Sequence, residues 1–197
     1  MEGKRVLITG GNSGIGLITA RELAAMGAEV VLACRDTGKT AVALKVVGVD
    51  AVTLPINLPV DLSSLDSVRM LAANFLNRYD RLDVLINNAG VFPARQQMTE
   101  DGFEMQMGVN HLSHFLLTHL LLDCLKASAP ARIISVSSTL HKKSEMDLNS
   151  FRGFEKYNAS AAYNQSKLGN VMFALELAKR LEGTGVTSNV LHPGAVK

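Results

Sequence analysis

Short apolar runs alternate with longer stretches of helical spacing from one end of this chain to the other. Lys4–Thr9, Glu29–Ala33, Ala51–Ile56, Leu82–Ile86, Ala131–Val136 and Val186–Leu191 are short, apolar and mostly β-branched, and predict six strands. Between them the spacing predicts helices over Ser13–Met26, Thr37–Val47, from Ser63 or Ser64 to Tyr79, from Asp101 to Ala127, and from a Ser160 cap to Leu181. Gly27 follows the first helix as a C′ residue, and Asp36 is the expected cap of the second, which Gly38 and several valines weaken. Two stretches resist assignment: the piece between Pro55 and Pro59, and the polar segment Thr139–Asn158, into which Phe151, Phe154 and Tyr157 are inserted. Strict strand–helix alternation implies right-handed crossovers and a parallel sheet covered on both faces, in the order 3-2-1-4-5-6 with the first strand central.

Composition narrows the class. A chain of 197 residues, 47% hydrophobic, is long enough for one domain with a full core. Its formal charge, 20 − 18 = +2, is too small to argue for nucleic acid or an acidic surface as partner. Cys34 and Cys124 have no metal or redox spacing, so they are expected to be reduced structural thiols in an intracellular, cytoplasmic setting. Only three apolar residues follow Arg5 before Thr9-Gly10, so no leader is expected. The longest apolar run, Phe115–Leu125, is broken by His119 and Asp123, so no transmembrane segment is expected either.

The chemistry begins at Thr9–Gly16, a glycine-rich turn between the first strand and the first helix. Such a turn brings backbone N–H groups and a helix N-terminus against a phosphate. Glycine belongs there because a side chain would meet the ligand or demand an unfavourable φ. The spacing Gly10, Gly14, Gly16 is G-x-x-x-G-x-G, and by itself it also fits an ordinary βα turn. Arg35 lies two residues beyond the second strand, where dinucleotide folds meet the adenosine ribose; a basic residue there suits a 2′-phosphate, and the adjacent Cys34 cannot do the work of an acidic one. Tyr163 and Lys167 are spaced i, i+4 on one helix. A phenol titrates near 10, and an ammonium beside it favours its ionised form. His111, His114 and His119 share a helix, but no carboxylate or cysteine completes a metal set, and packing is the expected role.

Thr9-Gly10-x-x-x-Gly14-x-Gly16, Asn87-Asn88-Ala89-Gly90, Asn110, Val136-Ser137-Ser138, Tyr163-x-x-x-Lys167 and Pro193-Gly194 occur in the order found in the short-chain dehydrogenase/reductases, which the sequence resembles over nearly its whole length. Ala33-Cys34-Arg35-Asp36, Thr99–Glu104, Asn110-His111 with His114–Thr118, and Leu191-His192-Pro193-Gly194 are similar to the retinol dehydrogenase branch. The separation between Ser138 and Tyr163 is longer than is usual in the family and matches that branch, where the extra residues form a lobe near the substrate entrance.

The resemblance implies a Rossmann-type α/β domain over residues 1–197, bound to NADP(H), and an oxidoreductase of apolar alcohols and their aldehydes or ketones, retinol/retinal-like or lipid aldehydes. Tyr163 would exchange the proton with the carbonyl oxygen; Lys167 would bond the nicotinamide ribose and depress the Tyr163 pKa. Ser138 would hold the substrate oxygen, with Ser137 as the competing candidate, and Asn110 would hold a water linking Lys167 to solvent. Gly10, Asn12, Ser13, Gly14, Ile15 and Gly16 would lie under the pyrophosphate. Arg35 would face the 2′-phosphate, Asp61 and Leu62 the adenine, Asn88-Ala89-Gly90 the adenosine side, and Pro193-Gly194 the carboxamide. Phe151, Phe154 and Tyr157 would line an apolar lid or simply pack the lobe. Relatives pair through the helices carrying Asn110 and Tyr163, which implies a homodimer; they also carry a seventh strand and a substrate-covering helix beyond Pro-Gly, which this sequence, ending at Lys197, does not include. A catalytically silent dinucleotide- or partner-binding module is the alternative, and the complete Asn110, Ser138, Tyr163 and Lys167 set argues against it.

Overall fold

The computed structural model describes residues 1–35 and 38–194. Six parallel strands form one sheet: β1 (Arg5–Thr9), β2 (Glu29–Cys34), β3 (Ile56–Pro59), β4 (Val84–Asn87), β5 (Ala131–Val136) and β6 (Val186–Leu191). Their order is β3-β2-β1-β4-β5-β6, the doubly wound arrangement, with β1 paired to β2 on one side and β4 on the other. The helices are α1 (Gly14–Ala25), α2 (Gly38–Gly48), α3 (Leu65–Arg78), α4 (Met105–Met107), α5 (Ser113–Ala127) and α6 (Ala159–Arg180). A π turn, Gly108–Leu112, joins α4 to α5.

Strand alternation divides the core in two. Leu7, Val31, Leu85 and Ile133 pack with Phe75 of α3, Leu121 of α5 and Leu177 of α6. Val6, Ile8, Val30 and Leu32 pack on the other face with Ala20 and Ala24 of α1 and Val47 of α2. Burial on both faces explains why β1 and β2 read as unbroken apolar runs.

Three expected boundaries move. The third strand is Ile56–Pro59 and not Ala51–Ile56, whose Val52 and Leu54 are more than three-quarters exposed. Among the described residues β3 pairs only with β2, so the N–H that Pro59 lacks leaves no central ladder bond unmade. The helix expected from Asp101 begins at Met105, because Glu104 takes the Gln106 and Met107 N–H groups at 3.0 and 2.8 Å while Thr99 N–H closes a turn onto the Phe103 carbonyl. Asp101 instead accepts the Leu65 N–H at 2.9 Å, at the start of α3. Asn158, not Ser160, caps α6 by accepting the Ala161 N–H. The Asp36 cap lies outside the described residues. The aperiodic segment 139–158 holds two 3-10 turns, Thr139–Lys143 and Leu148–Arg152. Among the described residues no helix is long and apolar enough to cross a membrane.

Candidate active site

The C-terminal ends of β1, β4 and β5 meet at the switch point of the sheet, and the site is built around them. Gly10 leaves β1 at φ +67°, a conformation that L side chains rarely adopt. The Asn88 side-chain amide, at the end of β4, donates to the Thr9 and Gly10 carbonyls at 2.8 and 3.4 Å. The Asn88 and Ala89 N–H groups donate to the Thr9 hydroxyl, each at 3.0 Å. Gly16 lies so close to the Gly10 carbonyl and the Asn88 amide that any Cβ there would overlap both. The turn is therefore held from beneath by β4, and its outer side faces a cleft.

That cleft holds about 700 Å³ and is lined by Gly10, Asn12, Ser13, Ile15, Gly16, Cys34, Arg35, Asp61 and Leu62. A second, of about 380 Å³, is lined by Ser138, Tyr163, Lys167, His192, Pro193 and Gly194. The two share Ile15, Asn88, Gly90, Val91 and Phe92, so they form one trough running from Arg35 to Tyr163. The first turn of α1, which opens between them, has no side-chain cap from Ser13 and no acidic residue. Its N–H groups are thus left for an anion. An extended, phosphate-bearing ligand fits this donor set. Within the wall, Asp61 turns back to accept the Ser63 N–H and hydroxyl, and Leu62 is buried with its carbonyl taken by Ser113. Asn12 donates to Thr40. Asn88-Ala89-Gly90 lines the trough between the glycine turn and Lys167, with Asn88 and Gly90 shared by both clefts.

At the other end α6 carries Tyr163 and Lys167, and the end of β5 carries the two serines. Ser138 is half-buried, its hydroxyl accepts the Leu140 N–H at 3.3 Å, and it lines the same cleft as the Tyr163 phenol. Ser137 points away: it is buried and donates to the Lys167 carbonyl at 2.8 Å, which separates the two candidates. Lys167 is 3% exposed, and its ammonium donates to the Val136 carbonyl at 3.0 Å and lies 5.5 Å from the Tyr163 ring centroid. Burial pulls Lys167 down to about 8. Burial also pushes the Tyr163 phenol above its ordinary value, with the Ser138 side chain pulling the other way. The phenol expected to be depressed by Lys167 is in this geometry governed by its own burial.

Asn110 sits in the π turn, fully buried. Its side-chain oxygen accepts the Val91 N–H at 2.8 Å, and its amide donates to the Val91 carbonyl and the Ser166 hydroxyl at 3.1 and 3.0 Å. These bonds fix the loop after β4 against α6.

The three helix histidines separate. His114 bonds Thr9 and the Asn110 carbonyl, His111 bonds Asn170, and His119 faces the groove between α5 and α6. Among the described residues no group of three His, Cys, Asp or Glu side chains could hold a metal ion. Sequence reasoning missed Phe92 altogether; its ring packs edge-on to Tyr163 with centroids 5.2 Å apart. A lone aromatic in a loop has no periodicity to reveal it.

The family profile described as short chain dehydrogenase matches residues 4–197. The chain belongs to the short-chain dehydrogenase family. Human retinol dehydrogenase 14 is 50% identical over all of this chain and 63% of its own length. Human retinol dehydrogenase 13 is 51% identical over 99% of this chain and 60% of its own. This short-chain dehydrogenase chain therefore spans a little over 60% of the length of these curated relatives. Among solved structures, a metagenomic short-chain oxidoreductase in complex with NADP superposes with a TM-score of 0.81 at 28% identity, covering 98% of this chain and 83% of that one. Short-chain dehydrogenases use a nicotinamide dinucleotide, and the trough fits one.

Proposed function

We propose that this short-chain dehydrogenase is an NADP(H)-dependent oxidoreductase that interconverts an apolar alcohol and its aldehyde or ketone. The observation that carries the reading is the convergence of Ser138, Tyr163 and Lys167 at one end of a trough whose other end is lined by Arg35. The names of the relatives, retinol dehydrogenases, support an apolar, retinal-like or lipid-aldehyde substrate.

Bound in the trough, the cofactor would supply or accept the hydride at carbon. The glycine turn, the uncapped start of α1 and Arg35 would hold its phosphates and 2′-phosphate. Ser138 would donate to the carbonyl oxygen, stabilising the charge that develops there. Tyr163 would give that oxygen its proton, with Lys167 beside it to refill or stabilise the phenolate. The same group would serve both directions: protonated, Tyr163 would give its proton to a carbonyl oxygen, and as the phenolate it would take one from an alcohol.

NADPH consumption by the full-length protein against retinal and decanal tests the reading. Tyr163→Phe should lower kcat by at least about a hundredfold, with NADPH affinity nearly unchanged; undiminished turnover rejects the role of Tyr163. The same reading makes the chain one half of a homodimer. Phe115, Leu148, Met172 and Leu175 are exposed apolar residues along a groove of about 840 Å³ between α5 and α6. Sedimentation of wild type and Met172→Glu measures it, with loss of the dimer expected in the variant.

A further inference from the structure

Phe92 is a large apolar side chain, 53% exposed, in the loop that follows β4. Scattered exposed apolar residues are ordinary. This one differs in being held in place next to the reacting phenol. On its N-terminal side, both backbone polar groups of Val91 are taken by the Asn110 side chain, at 2.8 and 3.1 Å. On its C-terminal side, the Pro93 carbonyl accepts the Tyr157 hydroxyl at 3.2 Å. Tyr157 belongs to the inserted segment 139–158 and is itself oriented by Gln106, whose amide donates to its oxygen at 2.9 Å. Two anchors, one from the helix before the site and one from the lobe, thus fix the single residue between them.

What they fix is an aromatic ring edge-on to the Tyr163 ring, with centroids 5.2 Å apart and the planes at 63°. Phe92 also lines both halves of the trough. A carbonyl held at the Tyr163 and Ser138 hydroxyls would leave its carbon substituents beside the exposed part of this ring. Burying that exposed apolar area is favourable in proportion to the substituent that covers it.

Resting on the oxidoreductase reading above, we infer that Phe92 is a specificity-determining residue: it selects carbonyl substrates whose first carbons beyond the carbonyl are long, apolar and unbranched or flat. Tyr157 is the positioning residue that acts through it. In this arrangement the inserted lobe influences selectivity without touching substrate, by setting where the Phe92 ring stands.

The experiment compares decanal with propanal as substrates of the full-length protein in the presence of NADPH. Wild type is set against Phe92→Ala, Phe92→Leu and Tyr157→Phe. Binding of unreactive decanamide is measured by calorimetry alongside. Phe92→Ala should lower kcat/KM for decanal about tenfold, mainly through KM, and weaken decanamide by a similar factor, while propanal changes by less than about threefold. Phe92→Leu should recover most of the decanal preference, and Tyr157→Phe should lose part of it with kcat for propanal retained. A cooperative thermal melt and unchanged far-UV circular dichroism serve as the folding control in all variants. Equal losses on the two aldehydes, or no loss on either, in variants that meet this control would overturn the inference while leaving the oxidoreductase reading intact. Failure of wild type to turn over either aldehyde, or retinal, would overturn that reading, and unchanged decanamide binding in Phe92→Ala would then overturn this one separately.

Discussion

His114 Nε2 lies 2.8 Å from the Thr9 hydroxyl, with both side chains buried and the two residues 105 positions apart in sequence. Their hydrogen bonds settle the tautomer. The His114 Nδ1 partner is the Asn110 carbonyl, which only accepts, so Nδ1 carries the proton. The Thr9 oxygen already accepts two backbone N–H groups and therefore donates its own proton to Nε2. One neutral imidazole thus joins the start of the glycine turn to the π turn that carries Asn110.

A neutral ring is what this place demands, and burial holds His114 down at about 4. The unfolded chain, whose histidine titrates near 6.5, binds more protons than the folded one between those two values. Stability should therefore be highest above pH 6.5 and fall as pH drops towards 4. Urea unfolding should give wild type about 2 kcal/mol less stability at pH 5 than at pH 7 from this group. His114→Gln should show a distinctly shallower loss over the same interval, and an equal slope would remove His114 as its source.

Lys167 has the same sign at higher pH. Its folded value of about 8 lies below the ordinary 10.5, so the buried ammonium costs stability in full below pH 8, and the cost fades as pH rises through 10.5. Lys167→Met should raise folding stability at pH 7 by about 1–3 kcal/mol, with the gain shrinking towards pH 10. The Val136 carbonyl keeps the Asn170 amide as donor at 3.3 Å. Turnover should be lost in the same variant, and denaturant melts paired with NADPH assays report both.

Arg35 is exposed at the end of the trough away from Tyr163, where a guanidinium can bind phosphate through two parallel bonds. Arg35→Glu should weaken NADPH at least about tenfold and leave NADH nearly unchanged or improved. Fluorescence titration with both dinucleotides gives the ratio directly; equal losses for the two would show that Arg35 does not read the 2′-phosphate.

Gly16 tests the turn itself. An alanine there would press its Cβ into the Gly10 carbonyl and the Asn88 amide, and the carbonyl belongs to backbone that must move. Gly16→Ala should lower stability by about 1–3 kcal/mol and weaken NADPH, whereas substitutions at the exposed Ile18, one helical face away, should do neither. Calorimetric melting with and without NADPH separates the two effects.

Much of the fold was legible because local chemistry and tertiary demand agree. β5 and β6 begin and end where their apolar runs do, and the alternation of elements already implied the strand order. Misreadings arose where the two disagree. Ala51–Leu54 has a strand's composition but no neighbour to pair with, whereas Ile56–Pro59 pairs with β2 in spite of its proline. Asp101 has a cap's chemistry, yet it serves α3 and not the helix that follows it.

The sequence by itself determined the class of sheet, the glycine turn at its switch point and the residue types that the chemistry needs, since these depend on period, spacing and side-chain identity. Only the tertiary structure decided which serine of the pair meets Tyr163, that Lys167 is desolvated, and that Phe92 and His114 belong to the site at all. Those outcomes depend on contacts between groups far apart in sequence, 19 residues for Asn110 with Val91 and 105 for His114 with Thr9. No local pattern encodes which of two adjacent side chains a distant helix will bury, or how far that burial will move its proton affinity.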